Sequence, residues 1–166
     1  SEWGLNIRCV ESPMEAETGQ RLRDASPLLQ SHFLLMYCDN YWPMDLAQMW
    51  EAYQRLGTIA MVTVYANRDG YSRNNMLVDE QGYVTTYDPD RKAAVLNGVE
   101  IGYALLSREV LDQLPPGNVR FEHTVYPALS AQRSIGAFRT EHRYYGVGSF
   151  ERLTLTEAFL EPQTAV

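Results

Sequence analysis

The sequence predicts an α/β fold organised on a mixed sheet, and three observations carry that expectation. Strand-like and helix-like segments alternate along the chain. Residues 33–38 (Phe-Leu-Leu-Met-Tyr-Cys) form an uncharged, mostly apolar run that leads straight into Asp39. Residues 76–87 break the alternation with two short β-rich runs around the polar turn Asp79-Glu80-Gln81-Gly82, the pattern of an inserted antiparallel hairpin.

In chain order, residues 5–10 (Leu-Asn-Ile-Arg-Cys-Val) read as a first strand. Residues 18–29 read as a short helix with Thr18 as its N-cap, broken near Pro27 because proline lacks the N–H a helix interior needs. Residues 33–38 read as a strand buried on both faces, the usual state of a parallel strand covered by helices. Asp39 then falls at its carboxyl end, where open α/β sheets place ligands. A carboxylate buried there needs a metal ion or a donor; capping of the following turn accounts for it equally well. Asp45 caps a helix in which Leu46, Met49, Trp50, Tyr53 and Leu56 recur at helical spacing, ended by Gly57. Residues 59–65 are a second β-rich run. Residues 99–106 are another strand, passing through Ser107 into a short helix closed by Leu114-Pro115-Pro116-Gly117. Residues 121–132 read as a helix kinked at Pro127, residues 134–138 and 143–147 as short strands, and residues 149–160 as a final helix.

Bulk properties bound the function. The 166 residues suit one domain with a real core, and 45% hydrophobic against 21% charged residues excludes a disordered chain. A formal charge of −7 argues against a general nucleic-acid binder but leaves room for a local basic pocket. No apolar run has the length of a membrane span and the first residues lack the layout of a signal peptide, so no membrane partner and a cytoplasmic location are expected. Cys9 and Cys38 lie in apolar segments and are expected to be small buried residues. His32, His123 and His142 have no metal-like spacing. Tyr144-Tyr145 reads more readily as packing than as a stacking platform.

Several segments, taken in order, resemble the sugar-1-phosphate nucleotidyltransferases, particularly the mannose- and heptose-1-phosphate guanylyltransferase branch. Glu17-Thr18-Gly19-Gln20-Arg21-Leu22 resembles the family's nucleotide-approaching loop. Leu35-Met36-Tyr37-Cys38-Asp39 resembles its buried strand ending in Gly-Asp, and Asp45-Leu46 the start of the next helix. Asn97-Gly98-Val99-Glu100-Ile101-Gly102-Tyr103 falls where the family has Asn-Ala-Gly-Ile-Tyr, and Ser107-Arg108-Glu109-Val110-Leu111 at the helix after it. Tyr144-Tyr145-Gly146-Val147-Gly148-Ser149 resembles the Trp-Asp-Ile-Gly-Thr-Pro segment. The resemblance spans about residues 6–160. It implies a Rossmann-like mixed sheet and transfer of a nucleotidyl group from an NTP to a sugar 1-phosphate with Mg²⁺. It further implies Asp39 as the catalytic, metal-holding carboxylate, Thr18 and Gly19 at the nucleotide, and Asn97, Glu100 and Gly102 at the sugar phosphate. For Glu100 the plainer reading is a strand-edge or solvent-facing acid.

The sequence also departs from that pattern. The family's Gly-rich loop, with its Arg and Lys, has no counterpart in these 166 residues. Losing an arginine that acts only in a phosphoryl-type transition state removes roughly three to five orders of magnitude in rate, so the chain alone is expected to be nearly inert. Glu17 and Gln20 add bulk to the nucleotide loop, and Gly146 stands where the family has its second metal-binding Asp. Tyr87-Asp88-Pro89 replaces the Glu-Lys pair that reads the sugar phosphate, with Arg91 and Lys92 just beyond. The expectation is therefore a single, partial nucleotidyltransferase-like domain over residues 1–166, truncated at its N-terminus and beginning mid-fold. Without the family's first strands, one edge of the 33–38 strand is left open. Such an edge is a template for another chain, so a homo-oligomer is expected. Two non-catalytic readings stand beside the enzyme: a sugar-phosphate or nucleotide-binding module, and an oligomer-forming interaction protein.

Overall fold

The computed structural model describes residues 4–161. Its centre is a four-stranded mixed sheet of order β1 (His32–Met36), β6 (Val99–Ser107), β3 (Ala60–Tyr65) and β7 (Ile135–Thr140). Two small ribbons flank it: β4 (Met76–Val78) with β5 (Val84–Tyr87), and β2 (Asn40–Tyr41) with β8 (Tyr145–Gly146). Strands β3 and β7 are parallel, and β6 runs antiparallel to both β3 and β1. The carboxyl ends of β1, β3 and β7 therefore point to one end of the molecule.

Period-2 alternation sorts the sheet's side chains between two helical layers. On one face Ala60, Val62, Val64, Ala104 and Leu106 pack with Phe121, Val125, Tyr126 and Leu129 of α3 (Phe121–Ala131), with Leu22 of α1 (Thr18–Ala25) and with the hairpin. On the other, Met61 and Leu105 pack with Met49 and Tyr53 of α2 (Leu46–Leu56). Helix α2 starts and stops as the sequence predicts. The Asp45 side chain accepts from the Gln48 N–H, and Gly57 closes the helix in the left-handed region at φ +67°. The final helix, α4 (Phe150–Leu160), is capped by Ser149.

Four expectations change. Residues 5–10 form no strand, and Leu5 and Ile7 are exposed. The 33–38 run is neither parallel to its neighbour nor buried on both faces. It forms β1 over His32–Met36, a terminal strand antiparallel to β6 whose central residues are only half-buried. Its composition suits an interior strand, but burial depends on how many neighbours it has, and among the described residues β1 has one. Cys9 and Cys38 are exposed because both lie outside the regular elements. Thr18 is the first residue of α1 rather than its cap; Glu17 occupies the cap position.

Candidate functional site

At the carboxyl end of β1 the chain turns through Tyr37, Cys38 and Asp39 into β2. Asn40 of β2 pairs with Gly146 of β8, and the Asp39 carbonyl accepts the Val147 N–H at 2.9 Å. The fold thus brings Asp39 beside Gly146, positions 107 residues apart. A cleft of about 410 Å³ lies here, lined among others by Tyr37, Asp39, Asn40, Tyr103, Val147 and Thr156. Asp39 is exposed rather than buried. It offers a single free carboxylate at the strand end, and among the described residues no three Asp, Glu, His or Cys side chains gather as metal ligands. A side chain grown at Gly146 would meet Asn40 Oδ1 at 3.0 Å and Arg152 Nη1 at 3.7 Å. Gly146, which stands where the resembled pattern has a second carboxylate, instead has the Arg152 guanidinium nearby.

One layer deeper, an irregularity in β6 builds a polar cluster. Val62 faces Ala104 but Val64 faces Glu100, so β6 advances four residues while β3 advances two. Gly102 sits in this bulge at φ +83°, and a Cβ there would stand 2.8 Å from the Tyr37 ring. The bulge folds the Glu100 side chain back so that its Oε1 accepts the Gly102 N–H at 2.6 Å; Asn75 Oδ1 accepts the Glu100 N–H at 2.8 Å. Glu122, in the first turn of α3, accepts at Oε2 from Tyr37 Oη (3.0 Å) and Thr18 Oγ1 (2.8 Å). Burial pushes the Glu100 carboxyl up to about 7; the Gly102 N–H opposes the shift and the Glu122 charge adds to it. Burial and the same two carboxylates hold the Tyr37 phenol well above its ordinary range, so it is a firm donor to Glu122.

The sequence-predicted residues divide by these contacts. Glu100 and Gly102 meet in the bulge, with Tyr37 joining them to the Asp39 cleft. Thr18 ties α1 to α3: besides its bond to Glu122, it accepts the Phe121 N–H at 2.9 Å. Gly19 is buried, donates to the Val119 carbonyl at 2.9 Å, and has no room for a Cβ, which would lie 2.6 Å from that oxygen. Asn97 has both ends of its amide committed to Val78, accepting from its N–H and donating to its carbonyl, so it pins the hairpin to β6. Arg91 and Lys92 belong to a turn organised by Asp88, and Lys92 pairs with Asp90 at 2.8 Å. Tyr144 is buried and Tyr145 stacks on Phe159 at 3.9 Å. Glu122 and Tyr37 had no sequence signal: an acid in a first helical turn normally answers the helix dipole.

The architecture matches solved sugar-1-phosphate nucleotidyltransferases. A protein from Bacillus anthracis assigned as a glucose-1-phosphate thymidylyltransferase, crystallised with sucrose, superposes with TM-score 0.78 at 15% identity, covering 99% of this chain and 69% of that one. HddC from Yersinia pseudotuberculosis gives 0.69 at 17% identity, covering 89% of this chain and 64% of that one. An apo UDP-glucose pyrophosphorylase gives 0.65 at 19% identity, covering 89% and 61%. The same HddC has been crystallised with GMP-PN, with TM-score 0.65 to this chain. This chain has the mixed-sheet nucleotidyltransferase fold. It spans about two thirds of the length of these proteins. No protein-family model and no curated protein sequence matches it. No helix among the described residues is long and apolar enough to cross a membrane.

Proposed function

We propose that this chain serves nucleotide-sugar biosynthesis in the cytoplasm, as a single nucleotidyltransferase-like unit that holds a sugar 1-phosphate for attack on an NTP. The observation that carries the reading is the convergence, within this fold, of the Asp39 cleft and the Glu100–Gly102 bulge at the carboxyl end of the parallel strands. In-line phosphoryl-type transfer asks for positioning and charge neutralisation rather than covalent help. Glu100 keeps one carboxylate oxygen beyond its bond to Gly102 and can accept from sugar hydroxyls. Tyr37 carries that cluster to the cleft. Thr18 and Gly19 act by fixing α1 on α3 beside the site, and Asn97 by fixing the hairpin.

The donor set fits a Mg²⁺ ion that arrives on the NTP, because Mg²⁺ takes one or two protein carboxylates and keeps its waters. Asp39 would hold it, and its charge would offset that of the phosphates. On their own, the 166 residues bind but turn over slowly, since they contain no Gly-rich phosphate loop. The test is a thermal-shift and calorimetric screen of hexose and heptose 1-phosphates, with and without NTPs and Mg²⁺. Saturable stabilisation by a sugar 1-phosphate, weakened by Glu100→Gln, is expected; no stabilisation by any of them at millimolar concentration overturns the reading.

A second reading, association through β1, rests on its position as a terminal strand. The Tyr37 N–H bonds to the Gly102 carbonyl and the Arg108 N–H to the Ser31 carbonyl. Antiparallel alternation then turns the N–H and C=O groups of His32, Leu34 and Met36 to the open edge. An apolar groove of about 320 Å³ runs along one face of that strand, lined by Leu22, Leu29, Phe33, Leu35 and Phe121 among others. We expect two copies to pair there. Light scattering should show a concentration-dependent dimer, and a monomer at all accessible concentrations would exclude it.

A further inference from the structure

Three structural elements bring two arginines to one tyrosine at the carboxyl end of the sheet. The loop after β3 supplies Tyr71, the segment between β7 and β8 supplies Arg143, and the first turn of α4 supplies Arg152. Arg143 Cζ lies 3.6 Å from the centroid of the Tyr71 ring, and Arg152 Cζ lies 5.7 Å from the same centroid. Arg143 Cζ is also 5.9 Å from the Tyr145 ring. Arg152 Nη1 reaches toward the space left open at Gly146.

Both arginines are half-buried, and among the described residues neither has a carboxylate oxygen within salt-bridge distance. Arg143 Nε is buried with no hydrogen-bond partner among the described residues. Asp69 interacts electrostatically with Arg143, and its Oδ1 already accepts from Tyr65 Oη (2.6 Å) and the Tyr71 N–H (3.1 Å). By contrast Arg68, Arg120 and Arg133 all hold an acid within 3.2 Å. In a chain of net charge −7, two half-buried guanidiniums with no acid paired to them among the described residues form a local positive site. Guanidinium forks match phosphate oxygens in shape and charge, and stacking on tyrosine holds the fork in place.

We propose that Arg143 and Arg152, oriented by Tyr71, bind the phosphate group of a phosphate monoester beside the Asp39 cleft. The site supplies by guanidinium part of the charge neutralisation that a second metal carboxylate would otherwise organise through Mg²⁺. It rests on the functional reading above only for the molecule that carries the phosphate, not for the anion site.

The test uses the whole chain with inorganic phosphate and pyrophosphate at constant ionic strength and no divalent metal, followed by calorimetry and phosphorus NMR. Saturable binding is expected, and Arg152→Gln and Arg143→Gln should each weaken it about tenfold or more. Arg152→Lys should restore part of the affinity. Gly146→Asp, which places a carboxylate beside Arg152, should abolish binding in a protein whose near-UV circular dichroism shows it folded. Equal affinity in the wild type and both glutamine variants overturns the proposal, as does binding that never saturates. If phosphate binds as expected but no sugar 1-phosphate competes, the anion site stands and the proposed function falls. If sugar 1-phosphates bind with affinity indifferent to both arginines, the proposed function stands and the anion site falls.

Discussion

Strands β3 and β1 have similar apolar sequences, Ala-Met-Val-Thr-Val-Tyr and His-Phe-Leu-Leu-Met, yet differ sharply in the structure. Every residue of β3 is buried, whereas β1 has exposed ends and a half-buried middle. The difference lies in their neighbours. Strand β3 has β6 on one side and β7 on the other, with α2 and α3 covering its faces; among the described residues β1 has β6 alone. The shared partner, β6, carries the bulge that builds the Glu100 cluster between them. The centre of the sheet fixes that cluster, and Tyr37, just beyond β1, packs against its other flank.

The largest effect should come from a charge in β3. Val62→Asp buries a carboxylate without a partner and should cost ~4 kcal/mol or more, leaving little folded protein in urea titrations. Leu35→Asp in β1, able to reach water, should cost clearly less; equal losses would break the comparison.

The strand between them is tested by pH. Glu100 titrates near 7 in the fold against an ordinary value of 4.5, so over that interval the native state holds a proton the unfolded chain has released. Stability from this group is therefore complete below about pH 4.5 and lost as pH rises through 7, a difference on the order of 3 kcal/mol. Denaturant midpoints should fall across that window in the wild type and flatten in Glu100→Gln; an unchanged slope in the variant refutes the assignment.

Within β1 itself, proline scanning separates the two edges. Leu35→Pro removes an N–H that faces β6 and should cost about 2–3 kcal/mol. Met36→Pro removes one that faces the open side, where edge strands tolerate proline, and should cost about 1 kcal/mol while blocking dimer formation. The smallest effect belongs to Asp39→Asn, an exposed change expected to shift stability by no more than about 0.5 kcal/mol. Its consequence should be confined to Mg²⁺-dependent NTP binding, read by calorimetry.

Local chemistry made much of this legible. Helix α2 declared itself through its Asp45 cap, its apolar stripe and Gly57; the hairpin, β3, β6, α3 and α4 follow their own patterns in the same way. The resemblance of ordered segments led to the right architecture, in which Asp39 and Gly146 lie side by side. Other features had no local signature. The coupling of Glu100 to Glu122 depends on a two-residue slip in the β3–β6 register and on Thr18 tying α1 to α3 across more than a hundred residues. The arginine pair depends on where three separate segments end.

The sequence by itself determined most of the segments that become helix or strand, residues 5–10 excepted, because caps, turns and periodicity act within a few residues. Tertiary structure decided what those segments are worth. Burial, charge and strain are set by neighbours distant in the chain, which is why a run that reads as buried on both faces became a half-buried strand. For the same reason, a glycine standing in for a metal ligand became an opening for Arg152.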